Sequence, residues 1–184
     1  MSKHTKETII QRFNQGEELQ FVFFWGHTVT PGKVTTTCFS QWFPCTFTVD
    51  GEEYSTAEQY MMAMKAELFG DEEVKRQIME AQSPKQYKSL GRKVSNFDDA
   101  VWKQNRFEIV KQGNIAKFSQ NPDLKAFLLK TGDSVLVEAS PYDGIWGVRL
   151  SRNDPMIQDP NNWKGLNLLG FALMEARDMI REAE

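Results

Sequence analysis

Ser55-Thr56-Ala57-Glu58-Gln59-Tyr60-Met61-Met62-Ala63-Met64-Lys65-Ala66-Glu67-Leu68-Phe69-Gly70 is the stretch on which the fold of this chain turns. It predicts one helix that Ser55 opens and that Gly70 stops near Phe69. Toward the C-terminus the same punctuation recurs. Asp71 is placed to cap a second helix through about Ala81, and Ser83-Pro84 starts a third, with proline at the tolerated first position. Asp98 or Asp99 caps a long helix through about Phe118, and another runs from Pro122 to Lys130 and ends near Gly132. A last helix is expected from about Leu166 to Ala183, with Leu166, Leu169, Leu173, Ala176 and Ile180 as its apolar stripe.

Strands are few. Phe21–Trp25 reads as a buried strand, and Ser134–Glu138 as another with Val135 and Val137 on one face. Thr46–Val49 and Glu52–Tyr54 flank Asp50-Gly51, a dipeptide suited to a tight hairpin turn in which both central residues take positive φ. Thr5–Phe13 fits either a short helix or a mobile arm. Pro155 and Pro160 predict an irregular loop from Leu150 to Lys164. The expected fold is therefore α+β, mostly helical with a small β-sheet. Residues 1–20 form an arm or short helix, and 21–184 a single domain.

Composition bounds the function. The 184 residues are 40% hydrophobic, enough to fill one core in a domain of this size. Lysine and arginine number 22 against 25 acids, a net charge of −3. That excludes a general nucleic-acid coat, which needs a broad basic surface, but leaves room for a local phosphate pocket. No apolar run approaches the ~18 residues of a membrane span. Met1 to Gln20 is too polar for a secretory signal, and Cys38 and Cys45 are the only cysteines. A reduced, cytoplasmic protein is the expectation. His4 and His27 lie far apart in the chain, which gives metal or histidine chemistry little to work with.

Four clusters carry candidate chemistry. Glu58 and Lys65 are seven residues apart, ~700° of helix and ~20° short of two turns, so they share a face with Met61 and Met62 between them. Glu58 also completes a capping-box pattern from Ser55, and Lys65 also fits a solvated lysine. Asp143-Gly144-Ile145-Trp146-Gly147 follows a strand, and it suits either a ligand-hugging loop with a stacking tryptophan or an ordinary turn. Arg92, Arg106 and Lys111 form a basic set with Trp102, fit for phosphate or for a solvated helix face. Asn167 stands at a helix start, where free amides suit anions and asparagine suits a cap.

Taken together, these segments resemble the NADAR family, the YbiA-like N-glycosidases. The matching segments are Phe39-Ser40, Tyr54 through Tyr60, Met64-Lys65-Ala66, Gly91-Arg92, Trp102 and Ala116-Lys117-Phe118. Leu136-Val137-Glu138, Asp143 with Trp146-Gly147, Asn167 through Gly170 and Leu173 through Arg177 complete the ordered set. The resemblance covers about Thr37 to Arg177.

It implies hydrolysis of a bond between ribose C1 and a base nitrogen, without metal or redox cofactor. The implied substrates are phosphoribosylamino-pyrimidine intermediates of riboflavin synthesis and ADP-ribose on guanine. The partner is thus a small ribosyl or ADP-ribosyl molecule, or ADP-ribosylated nucleic acid as substrate, with no membrane. Glu58, Lys65 and Asp143 are the implied catalytic residues. Glu58 would act as acid and base, Lys65 as a Schiff-base nucleophile, and Asp143 at the ribose. Trp102 and Trp146 would flank the base, with Gly147 and Asn167 nearby, and Arg92, Arg106 and Lys111 would meet phosphate.

Two features depart from the family pattern. Val148–Lys164 is longer than in the shorter bacterial members, and Gln41-Trp42 stands where an asparagine usually follows Phe-Ser. The competing expectation is a module that binds ADP-ribose or nucleotides without turnover.

Overall fold

A computed structural model describes residues 2–183. The described chain contains seven α-helices and four short strands in two separate two-stranded sheets. The helices are α1 (Lys6–Asn14), α2 (Ala57–Leu68), α3 (Glu72–Glu80), α4 (Pro84–Gly91), α5 (Asp99–Gln120), α6 (Pro122–Lys130) and α7 (Leu168–Glu182). The strands are β1 (Phe21–Phe24), β2 (Phe47–Val49), β3 (Glu52–Tyr54) and β4 (Val135–Glu138). None of the described helices is long and apolar enough to cross a membrane.

The expected caps at Asp71, Ser83 and Asp98 each accept a bond from an amide in the first turn. At α2 the register is one residue later than expected. Thr56, not Ser55, accepts from the Gln59 amide, and Gln59 returns its side-chain oxygen to the Ser55 amide. Glu58 is therefore not the capping carboxylate. The last helix likewise starts at Leu168 rather than Leu166, which is 42% exposed and lies outside the apolar stripe.

The core is built on two long contacts, α5 against α7 and α2 against its neighbours α3, α4 and α5. Gly113 makes the α2–α5 approach possible, since a Cβ there would sit 2.5 Å from the Tyr60 ring. β1 and β4 pair in parallel, Phe21 opposite Val135 and Phe24 opposite Glu138. Val135, Leu136 and Val137 are all buried, so β4 is covered on both faces, as parallel strands usually are. α7 packs on β4, and Gly170 is the seat, where a Cβ would meet the Leu136 carbonyl oxygen at 2.0 Å. The hairpin β2–β3 turns on Asp50 at φ +50° and Gly51 at φ +83°.

The N-terminal segment is a packed helix. A reciprocal capping box between Thr5 and Thr8 starts α1, and Ile9 is wholly buried in the core. Its Lys6 ammonium donates to the Trp163 carbonyl. The stretch expected as an irregular loop holds two 3₁₀ turns, Pro155–Gln158 and Pro160–Asn162, with Asp154 and Asp159 as their caps. Each Asp-Pro pair thus starts a turn instead of merely preventing one, and Ile157 and Trp163 anchor the segment in the core.

Candidate active site

A cavity of about 790 Å³ opens between α2, α4, the start of α5 and the segment that follows β4. Glu58 and Lys65 both line it from α2, Arg92 follows α4, Trp102 comes from α5, and Asp143 and Trp146 close the far side. Six of the ten residues singled out in the sequence are brought together here.

Glu58 sits in the first turn of α2, with its amide bonded to the Gln41 carbonyl at 2.9 Å. Its carboxyl is buried, and burial pushes its pKa up to about 7. The Asp143 charge adds to the rise, while the Lys88 ammonium and a bond from the Trp42 indole oppose it. Glu138, at the end of β4, is the second such acid. Burial, then Asp143 and Glu58, push it up to about 8 against the pull of Lys88, and its Oε2 is buried without a hydrogen-bond partner. Two carboxyls that hold protons near neutrality therefore face one cavity, the arrangement general acid catalysis requires.

Asp143 organises the turn that bears Trp146. Its Oδ1 accepts from the amides of Ile145 and Trp146, both at 2.8 Å, and its own amide donates to Ser140 Oγ at 3.1 Å. Oδ2 is the oxygen left for a ligand. Gly147 does not line the cavity. It packs behind it, where a Cβ would press on the Glu138 and Asp143 carbonyl oxygens at 2.9 and 3.1 Å.

Asn167 is also behind the cavity, fully buried at φ +55°. Its Oδ1 accepts from the Glu138 amide at 3.0 Å and its Nδ2 donates to the Leu136 carbonyl at 2.9 Å. The side chain is thus neither a helix cap nor a ligand group; it staples the end of β4 and so sets where Glu138 stands.

Lys65 occupies the other end. Two helical turns separate it from Glu58, ~10 Å along the axis. Its Nζ donates to the Gly91 carbonyl at 2.8 Å and lies 4.5 Å from the Phe97 ring centroid and 5.5 Å from that of Trp102. Burial, and then the Arg92 charge, lower its pKa. No carboxylate offsets this, so the neutral amine needed for nucleophilic attack is easier to reach than on a free lysine.

Arg106 and Lys111 do not reach the cavity. Arg106 follows Trp102 by four residues, ~400° of helix, and the ~40° excess turns it toward the N-terminal segment and a second cavity. Lys111 pairs with Glu108 at 2.7 Å and Glu175 at 3.5 Å. Other groups supply what the sequence did not mark as a site. Lys88 lines the cavity near both acids, and Trp42 lies 5.9 Å from Lys88 Nζ and 5.4 Å from the His27 ring. At the mouth Trp25 and Tyr142 are exposed, their rings 6.2 Å apart. Glu138 ends a strand and Lys88 lies within a helix, and neither position along the chain marks a site. Only the folded chain reveals that both face inward. Among the described residues no group of three or more His, Cys, Asp or Glu is placed to hold a metal ion.

Comparison with known proteins bears on the family of the chain. The NADAR domain matches residues 23–181. N-glycosidase R617 of Acanthamoeba polyphaga mimivirus is 46% identical over 164 residues, 86% of this chain and 95% of the viral one. N-glycosidase YbiA of Escherichia coli (strain K12) is 32% identical over 142 residues, 77% of this chain and 80% of its own. The NMR structure of the E. coli protein YbiA superposes with a TM-score of 0.70 at 27% identity, covering 89% of this chain and 86% of that one. A domain match over most of the chain, relatives aligned over most of their length and a shared tertiary structure lead to one conclusion: the chain belongs to the NADAR domain family.

Proposed function

We propose that this chain, an N-glycosidase and hence a hydrolase of N-glycosyl bonds, cleaves the bond between ribose C1 and the nitrogen of a heterocyclic base. The observation that carries this reading is the pair of buried, proton-holding carboxyls, Glu58 and Glu138, facing Lys65 across one aromatic-walled cavity. Glu58 is the acid. It gives its proton to the leaving nitrogen as the C1–N electron pair moves to that nitrogen, and cationic character grows at C1. Asp143 and the carboxylate left on Glu58 stabilise that charge. Water then adds at C1 and returns a proton to the carboxylate.

Lys65 supports a covalent route as well. Glu58 protonates the ring oxygen as its bond to C1 breaks and the nitrogen lone pair forms a C1=N iminium. The Lys65 amine then adds at C1 and gives a proton to the Glu58 carboxylate, which passes it to the nitrogen as the C1–N bond breaks, and water hydrolyses the resulting imine to free the amine. Trp102 and Trp146 flank the base, and Arg92 and Lys88 meet the phosphate. The volume lies within the ~300–1,000 Å³ of small-molecule sites and suits a nucleotide-sized ligand.

The substrates we propose are phosphoribosylamino-pyrimidine intermediates of riboflavin synthesis and ADP-ribose attached to guanine. Incubation with each, followed by chromatography of the freed base, tests the proposal, with Glu58→Gln and Lys65→Ala as controls. Base release that both variants lose supports it. Thermal protection without release would identify a binding module, and release undiminished in Glu58→Gln would remove the acid.

A further inference from the structure

A second cavity, of about 400 Å³, lies behind the Asp143–Gly147 turn. Leu166 and Leu168, which line it, donate their amides to the carbonyls of Gly144 and Ile145 in that turn. The start of α1 closes one side, and Lys103 and Arg106 of α5 the other. The floor is apolar, from Phe107, Leu168 and Phe171.

Arg106 is the anomaly. It is only 8% exposed, yet its Nε has no hydrogen-bond partner and it forms no ion pair among the described residues. Burial lowers its pKa; Asp99 and Asp143 act on it only through their fields. The other cations around the cavity are already engaged. Lys103 pairs with Asp99 at 2.5 Å, His4 with Asp178 at 3.0 Å, and Lys6 bonds the Trp163 carbonyl. Glu7, the one carboxylate of the lining, does not bond the guanidinium.

A buried guanidinium costs free energy unless its planar set of donors is matched, and the group that matches it is a carboxylate or phosphate bound two-pronged. Two further ammonium groups, Lys103 beside Arg106 and Lys6 on the facing side, favour the more highly charged of these. We propose that the second cavity is a phosphate-binding site, with Arg106 as its central ligand group, Lys6 and Lys103 as flanking charges and an apolar floor for the substituent of a phosphate monoester. Free phosphate would use only the polar half of this site. A monoester with an aromatic substituent would use both halves.

Titration of the full chain with inorganic phosphate and with phenyl phosphate, followed by NMR of backbone amides and arginine side chains, tests the site. The expected result is a saturable shift of the Arg106 Nε–H, with amide shifts grouped at residues 5–7, 103–107 and 166–168. Phenyl phosphate should bind more tightly than phosphate. Arg106→Gln should weaken binding by roughly tenfold or more. Lys103→Glu, at an exposed position, should also weaken it and serves if Arg106→Gln does not fold. Absence of saturable binding would overturn the proposal. So would shifts confined to the cavity of Lys88 and Arg92, or unchanged affinity in both variants.

Discussion

Replacing Glu58 by Gln separates chemistry from architecture, because the helix cap is made by Thr56 and Gln59 and survives the change. Gln keeps the volume, and its carbonyl oxygen can still accept the Trp42 indole bond. What disappears is the exchangeable proton, so kcat should fall by about 10²–10⁴-fold. Stability should move the other way, and in a pH-dependent manner. The carboxyl is raised from an ordinary 4.5 to about 7 in the fold. A raised carboxyl holds its proton more tightly folded than unfolded. Its cost is absent below the unfolded pKa, grows as pH rises from there, and is complete once pH passes the folded pKa. That interval corresponds to about 3 kcal/mol at full ionisation. At about 2–4 °C per kcal/mol for a chain of this size, the variant should gain roughly 6–12 °C in Tm relative to wild type between about pH 4 and about pH 8. Thermal melts across that range, with rates measured on the same preparations, provide the assay. A constant Tm difference would refute the buried-acid argument, and full turnover would refute the catalytic one.

Other consequences follow from the same geometry. Lys88→Met removes the cation that holds both acids down, so the alkaline limb of the pH–rate profile should move to higher pH; a limb that stays or moves lower counts against Lys88 as their neighbour. Arg92→Ala should raise the Lys65 pKa by removing the like charge beside it. Borohydride trapping of a ribose adduct on Lys65 should then fall near neutral pH and recover at higher pH, as mass spectrometry of the labelled peptide can check. Gly170→Ala should cost about 2 kcal/mol or more in urea unfolding, because its methyl would collide with the Leu136 carbonyl and lift α7 from β4. A variant as stable as wild type would show that this contact gives way.

The helices were legible because their signals are local. Asp71, Ser83-Pro84 and Asp98 act on amides two or three residues away, and Asp50-Gly51 sets its own turn, so neither needs the rest of the fold. The shared face of Glu58 and Lys65 followed from helical pitch alone, and the ordered family segments brought in Asp143 and Trp146. The one-residue error at Ser55 was of the opposite kind. Ser55 and Thr56 are both able caps, and Gln59 and Glu58 both able partners; burial of Glu58 beneath Trp42 decides between them. Sequence distance also hid the second acid, since Glu138 stands 80 positions beyond Glu58 and meets it only because Asn167, another 29 on, pins the end of β4. Arg106 lines a different cavity from Trp102 because four residues of helix share a side only approximately, and the ~40° remainder is enough to cross from one cavity to the next. The sequence by itself determined which segments are helical and which residue types could perform the chemistry. The tertiary structure alone decided which carboxyls are removed from water and which charges stand beside them, because burial and Coulomb fields depend on distance through space rather than along the chain.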